Sequence, residues 1–266
     1  MSHKPRKRFG QNFLHDPAII QRIVATIRPR PTEHLVEIGP GQGAITVELL
    51  RIAGHMDAVE LDRDLIEPLT RRCADLGQLS VHSADALRFD LCGLTQPGES
   101  LRVVGNLPYN ISTPLLFHTL EQSACIHDMH FMLQKEVVDR IVAAPGSKVY
   151  GRLSVMIQTW CDAESLFTIR PGAFHPAPKV DSAFLRLAPR RPPRYMITDR
   201  AFHERLVAQA FSQRRKTLRN TLKGLVDPQQ LATLGIDAGQ RAEQLAVETF
   251  AAIANAACKS APEPRD

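Results

Sequence analysis

No two of the five cysteines are close enough for a C-x-x-C metal or redox pair; they stand at 73, 92, 125, 161 and 258. In a chain of 266 residues this argues against a disulfide framework and suits free thiols in a reducing cytosol. A membrane-length apolar run is also missing. The most tempting span, Val103–Leu120, carries no formal charge but is broken by Pro108 and Pro114 and dotted with polar residues, so it does not read as a membrane helix. The first residues, MSHKPRKRFGQNFL, are charged and lack the apolar stretch of a secretory signal. Internal repeats and low-complexity tracts are absent as well. What remains is an ordinary globular composition, 44% apolar and 23% charged, which excludes a wholly disordered chain and is ample for a buried core.

The charge that is present is unevenly placed. Residues 1–30 hold seven Lys/Arg against Asp16 alone, and residues 186–219 hold ten against Asp199 and Glu204. These blocks carry +6 and +8 in a chain whose total is +5, so the remainder sums to −9. Two basic blocks on an acidic body suggest a polyanion partner, nucleic acid first among them.

Short apolar runs alternate with helical patterns from residue 34 to about 188. His34–Gly39, Met56–Asp62, Leu79–Asp85, Arg102–Asn106 and Asp128–Gln134 read as strands, with segments such as Asp64–Asp75 and Ser112–Gln122 between them. This alternation predicts an α/β fold with a mostly parallel sheet covered on both faces. Ser165–Arg170 and Ser182–Ala188 are expected to complete the sheet as an antiparallel pair at one edge. PRRPPR at 189–194 breaks regular structure and reads as a linker. Beyond it Phe202, Leu206 and Ala210 form one helical stripe and Leu218, Leu222 and Leu225 another, so 195–266 reads as a small all-helical domain with a frayed KSAPEPRD tail.

Glu37-Ile38-Gly39-Pro40-Gly41-Gln42-Gly43 follows the first of these strands. Glycines there let the backbone turn sharply and approach a ligand, although such turns also occur for structural reasons alone. Glu60 ends the next strand, 19 residues after Gly41, where a carboxylate can accept from both hydroxyls of a ribose. Asp85 ends the third strand, placed to meet an adenine amino group. Alone, the first could be a surface carboxylate and the second a helix cap. Gly39-x-Gly41-x-Gly43 is not the G-x-G-x-x-G of dinucleotide enzymes, and the set suits an adenosyl ligand without a pyrophosphate.

Asn106-Leu107-Pro108-Tyr109 closes the fourth strand. The amine of adenine is a poor nucleophile because its lone pair is delocalised into the ring. The Asn106 side-chain carbonyl and the backbone carbonyl of Leu107 or Pro108 can each accept one N–H of that amine and hold it towards tetrahedral geometry. Tyr109 offers a stacking face, worth about 1–3 kcal/mol per base. Arg215, Arg219 and Lys223, spaced i, i+4, i+8 on a helix beginning near Asp199, are expected to share one phosphate-binding face with Arg214 beside them, unless they are merely a solvated face. His127 and His130 point to opposite faces of a strand and have no third ligand, so no metal is expected.

These residues resemble S-adenosylmethionine-dependent methyltransferases, specifically the small-subunit ribosomal RNA adenine dimethyltransferases. The resemblance runs nearly the full chain. It includes Gly10–Leu14 (GQNFL), EIGPGQG at 37–43, NLPYN at 106–110, QKE at 134–136, YGRLS at 150–154, FHPAPKVDS at 174–182, FSQRRKTLRN at 211–220 and RAE at 241–243. Ile45, where Leu is usual, and Ala246, where Ser is usual, are its main departures. The resemblance implies a Rossmann-like, seven-stranded methyltransferase domain over 1–188 that includes the basic segment 1–30. It implies a linker at 189–194 and an RNA-contacting helical domain at 195–266. It further implies that Asn12, Leu14, Gly39, Glu60, Asp85 and Asn106 line the cofactor, that Tyr109 and Phe174 hold the target base, and that N6 of two adjacent adenosines near the 3′ end of small-subunit rRNA is dimethylated. A cytoplasmic monomer acting on an assembling 30S-type particle, away from any membrane, is the corresponding expectation. The competing readings are a large-subunit rRNA dimethyltransferase of the antibiotic-resistance type, a DNA adenine methyltransferase, and a non-catalytic ribosome-assembly or nucleic-acid-binding factor. FSQRRKTLRN and GIDAGQRAEQL favour the small-subunit reading.

Overall fold

A computed structural model describes residues 11–259. The expectations for Gly10, for Lys4, Arg6, Lys7 and Arg8, and for the tail after Lys259 lie outside them. Among the described residues nine strands are formed: β1 (Phe13–Leu14), β2 (His34–Ile38), β3 (His55–Glu60), β4 (Gln78–Ser83), β5 (Leu101–Asn106), β6 (Ile126–Gln134), β7 (Cys161–Ile169), β8 (Phe174–His175) and β9 (Ser182–Pro189). The helices are α1 (Pro17–Ile27), α2 (Thr46–Ala53), α3 (Arg63–Cys73), α4 (Ser112–Glu121), α5 (Lys135–Ile141), α6 (Arg152–Trp160), α7 (Arg200–Ala210), α8 (Leu218–Thr221), α9 (Pro228–Thr233) and α10 (Val247–Lys259).

Seven strands form one sheet in the order β4-β3-β2-β5-β6-β9-β7. The pairs from β4 to β6 are parallel, and β9 runs antiparallel to β6. All five expected parallel strands are present, and the expected pair closes one edge, with β7 starting at Cys161 rather than Ser165. Leu101–Gly105 of β5 and all of β6 except His127 and Gln134 are buried, as befits strands covered on both faces. The strand order reverses beside β2. From β2 the chain fills positions outward through β3 and β4, then returns to place β5 on the other side of β2, which opens a crevice at the carboxyl ends of these strands. A second, two-stranded sheet pairs β1 with β8 antiparallel, Leu14 opposite Phe174; it was not expected from the sequence.

Helix ends follow local chemistry. Asp16 caps α1, its carboxylate accepting from the Ala18 and Ile19 amides, with Pro17 at the first helical position. Asp62 caps α3 in the same way.

The chain divides into two compact units: residues up to Val138 with Glu164–Pro189, and Asp139–Ala163 with residues from Arg190 onward. The expected single boundary around 188–195 is therefore one of three crossings. Residues 139–163 join the C-terminal unit because α6 packs on α7 and α10. The 189–194 segment is irregular but not a free linker from Arg190 on. The Arg190 amide donates to the Trp160 carbonyl and its guanidinium pairs with Asp162, while Asn255 holds Met196 and Thr198. The cysteine reading also needs correction: Cys92 and Cys125 form a disulfide, their Cα atoms 5.5 Å apart, leaving Cys73, Cys161 and Cys258 free. The two are brought together by Gln122, whose side-chain carbonyl accepts from the Leu91 and Cys92 amides. A separation of 33 residues hides that proximity in the sequence.

At the amino end of β5, opposite the crevice, Arg102 is 7% exposed. Its guanidinium donates to both Asp128 oxygens at 2.9 and 3.0 Å, to Glu33 at 2.8 Å and to the Ile27 carbonyl at 2.8 Å. Breaking a buried pair from one side leaves an uncompensated charge and costs about 3–5 kcal/mol. Asp128→Ala is therefore expected to lower unfolding free energy by about that amount in urea titration. Glu33→Ala, at the more exposed end of the cluster, is expected to cost about 1 kcal/mol or less. Equal losses in the two variants would contradict this assignment.

Candidate active site

At the carboxyl ends of β2–β5 lies a cavity of about 220 Å³. Asn12, Leu14, Gly39, Gly41, Glu60, Asp85, Asn106, Leu107, Pro108 and Tyr109 all line it, so ten residues singled out from sequence converge on one place. Five pieces of the chain contribute: the β1 segment, the turn after β2, the end of β3, the end of β4, and the turn after β5. The turn after β2 needs glycine at position 41, where φ is +58° and a Cβ would sit 3.0 Å from the Phe13 ring.

Glu60 is buried, and each of its oxygens accepts one backbone N–H, from Gly41 at 3.1 Å and from Asp62 at 2.8 Å. Those bonds fix its orientation and leave further lone pairs on both oxygens for hydroxyl donors. Burial raises its pKa, while the two backbone bonds oppose the rise. Asp85 accepts the Leu87 amide through one oxygen at 3.0 Å, leaving the second as an acceptor.

The Asn106 amide is oriented by its own nitrogen, which donates to the Asn12 carbonyl at 2.8 Å. Its oxygen is therefore left as the acceptor. Of the two backbone carbonyls considered, that of Pro108 accepts the Ile111 amide at 3.2 Å. The Leu107 carbonyl has no partner among the described residues, so of the two it is the one left open. The Tyr109 ring borders the cavity with its hydroxyl turned to Ser182 at 2.6 Å.

Phe174 departs from expectation. It is 3% exposed, belongs to the hydrophobic core and does not line the cavity; Leu14, its partner across the β1–β8 pair, does. Stacking on a base would require Phe174 to leave that core position.

The cation stripe also needs correction. Arg215, Arg219 and Lys223 do not share a helix: α7 stops at Ala210, and α8 covers only Leu218–Thr221. The Ser212 hydroxyl bonds the Gln209 carbonyl at the helix end. Arg214 then leaves the helical path to pair with Glu243 at 2.9 Å and to bond the Lys148 carbonyl. The four named cations remain exposed.

Sequence reasoning passed over Glu37 as a functional group. It sits on β2, 2% exposed, lines the cavity and accepts from the Thr46 hydroxyl at 2.6 Å; an acid inside a buried strand was the available signal. With it the cavity has three carboxylates, Glu37, Glu60 and Asp85, and no Lys or Arg among its described lining residues. Such a lining repels phosphates. It suits a ligand whose polar groups are cationic or hydrogen-bond donors, as the sulfonium, ammonium, ribose hydroxyls and adenine amine of S-adenosylmethionine are. The apolar side chains of Ile38, Val59, Leu61 and Leu87 provide walls for a flat base.

Burial lifts the Glu37 carboxyl from 4.5 to about 7, opposed by the Thr46 bond and helped by the Glu60 charge. The folded protein therefore keeps a proton that the unfolded chain releases above pH 4.5. This contribution to stability is complete below that pH and is lost as pH rises through 7, at up to about 1.4 kcal/mol per pH unit. Glu37→Gln keeps an acceptor for Thr46 but cannot ionise. Its unfolding free energy is expected to gain on the parent between about pH 4.5 and about pH 7. A difference that stays constant with pH would contradict the assignment.

Comparison with known proteins agrees with this geometry. The ribosomal RNA adenine dimethylase family model matches residues 2–259. The "Ribosomal RNA small subunit methyltransferase A" of Nitrosococcus oceani is 54% identical over 253 residues, 95% of this chain and 96% of that relative. The protein of the same name from Xylella fastidiosa strain 9a5c is 56% identical over 252 residues, covering 94% and 95%. Among solved structures, a dimethyladenosine transferase from Plasmodium falciparum superposes with a TM-score of 0.79 at 24% identity, covering 91% of this chain and 95% of that one. The 23S rRNA methyltransferase ErmE superposes at 0.72 with 26% identity, covering 93% and 100%. The chain belongs to the ribosomal RNA adenine dimethylase family.

Proposed function

We propose that the chain transfers methyl groups from S-adenosylmethionine to N6 of two adjacent adenosines in the 3′-terminal hairpin of small-subunit rRNA, as a cytoplasmic monomer acting on an assembling small subunit. The observation that carries this reading is the cavity itself: an acceptor-rich, cation-free ligand half beside an Asn106–Tyr109 half suited to an amine. Near-full-length likeness to relatives named as small-subunit methyltransferases supports the choice of RNA. No helix of the described residues is long and apolar enough to cross a membrane.

In this reading Glu60 holds the ribose hydroxyls and Asp85 the adenine amine of the cofactor, with Asn12, Leu14, Gly39 and Gly41 shaping the cleft. When bound, the cofactor supplies a methyl group already activated for in-line transfer, so the protein's task is positioning and exclusion of water. The Asn106 side-chain oxygen and the Leu107 carbonyl accept the two N–H groups of the target amine and draw its lone pair out of conjugation. Pro108 fixes the turn, and Tyr109 stacks on a base that has left its helix, an extrusion costing a few kcal/mol. After the first transfer one N–H remains, so one of the two acceptors must face a methyl group in the second. Arg214, Arg215, Arg219 and Lys223 contact phosphates and contribute affinity rather than sequence choice.

The test is labelled-methyl transfer to unmethylated small subunits, to large subunits and to DNA. Transfer to the small subunit alone is expected. Transfer to the large subunit would support the antibiotic-resistance type that the likeness to ErmE represents, and no transfer at all would leave a binding factor. On the productive substrate, Asn106→Ala at saturating cofactor is expected to lose about 100-fold or more in single-turnover rate, by analogy with removal of a transition-state hydrogen-bonding group. RNA affinity should stay nearly intact. Near-normal rates would reduce the Asn106–Tyr109 segment to a structural turn. Glu60→Ala and Asp85→Ala are each expected to weaken cofactor binding in calorimetry, and unchanged affinity in both would overturn the cofactor's orientation.

A further inference from the structure

Tyr109 stands on a short turn, and three bonds hold that turn in place. The Ile111 amide donates to the Pro108 carbonyl at 3.2 Å, and the Ser112 hydroxyl at the start of α4 donates to the Tyr109 carbonyl at 3.2 Å. These fix the backbone and leave the side chain free to swing about its first torsions. The third bond acts at the far tip of the ring, where the Tyr109 hydroxyl meets the Ser182 hydroxyl at 2.6 Å.

Ser182 is well placed to be the rigid member of this pair. It is fully buried at the first position of β9, opposite Gln134 of β6, and the neighbouring Asp181 carbonyl accepts the Lys135 amide at 2.9 Å. The sheet therefore fixes the backbone from which its Oγ projects. It does not line the cavity and so acts only through Tyr109. With the phenol oxygen engaged here, the ring is anchored at its far tip while it borders the cavity. Desolvation raises the phenol pKa against the opposing Ser182 bond, so the hydroxyl remains neutral.

We propose that Ser182 is a positioning residue for methyl transfer, its hydroxyl clamping the Tyr109 ring at the angle that receives the target adenine. The inference rests on the reading of Tyr109 as the base's stacking platform. It makes the Tyr109 hydroxyl matter through Ser182, although the substrate never touches that oxygen. A ring anchored at one end only would sample other angles and hold the extruded base in the reactive pose for a smaller fraction of the time.

The experiment is a cycle of Ser182→Ala, Tyr109→Phe and the double variant, with Tyr109→Ala as reference. Four quantities are read in the full-length protein: single-turnover methylation of unmethylated small subunits at saturating cofactor, RNA affinity, S-adenosylmethionine affinity, and fluorescence of 2-aminopurine placed at the target position. Loss of one neutral hydrogen bond predicts about a 3- to 10-fold slower rate in each single variant. The double variant should be no slower than either. RNA and S-adenosylmethionine affinities are expected to stay unchanged, and the fluorescence rise that reports the unstacked base should be smaller. If Ser182→Ala does not fold, Tyr109→Phe removes the same bond from the exposed side and decides alone. Full activity in Tyr109→Phe, or losses that multiply in the double variant, would overturn the clamp. If Tyr109→Ala also kept full rate and fluorescence, the platform reading itself would fall. Impairment in Tyr109→Ala beside a normal Tyr109→Phe would remove the clamp alone.

Discussion

The two halves of the cavity meet where the ends of β2 and β5 come together, and Gly105 permits that approach. A Cβ at position 105 would lie 2.6 Å from the Ile38 carbonyl and 2.9 Å from the Leu107 side chain. Any larger residue would push the end of β5 away from β2. Asn106 would go with it, separating the Asn106–Tyr109 turn from the glycine turn that begins one residue after Ile38. Methyl transfer needs donor and acceptor held in line at contact distance, so this spacing governs everything built around it. The Asn106 bond to the Asn12 carbonyl then draws the β1 segment over the same junction.

Charge is divided with similar economy. Carboxylates and carbonyls line the cavity, while the exposed cations Arg215, Arg219 and Lys223 stand on other parts of the chain. On the proposed reading, phosphate contacts at these cations hold RNA without drawing polyanions into the cofactor cleft, and an adenine enters as a neutral donor. Burial lifts the Glu37 carboxyl to about 7, so that near neutral pH it carries its charge only part of the time, which limits the like-charge repulsion that three clustered carboxylates would otherwise create.

Much of this was legible in the sequence because it is local. Strand periodicity, the glycine turn, and an acid or amide at each strand's end all fall within a few residues, and together they located the cavity's lining from Gly39 to Tyr109. What escaped depends on partners far away in the chain. Phe174 reads as an aromatic beside a proline-rich turn, and only its pairing with Leu14 buries it. Ser182 is 73 residues from Tyr109. Residues 139–163 join the second unit through contacts with helices that come much later. The i, i+4, i+8 cations kept helical spacing in the sequence, yet Glu243 and the Lys148 carbonyl drew Arg214 out of the helix. Glu37 was the local signal passed over: a carboxyl inside a buried strand must either pair or shift its pKa.

The central claim is that a target amine sits between the Asn106 side-chain oxygen and the Leu107 carbonyl, with an adenosyl cofactor lying against Glu60 and Asp85. A crystal structure with S-adenosylhomocysteine and an adenosine nucleoside tests it most directly. The account predicts the nucleoside N6 within hydrogen-bonding distance of both acceptors, its ring against Tyr109 and its N6 facing the cofactor sulfur. A nucleoside bound with N6 turned away from Asn106, or a cofactor whose ribose lies away from Glu60, would contradict it.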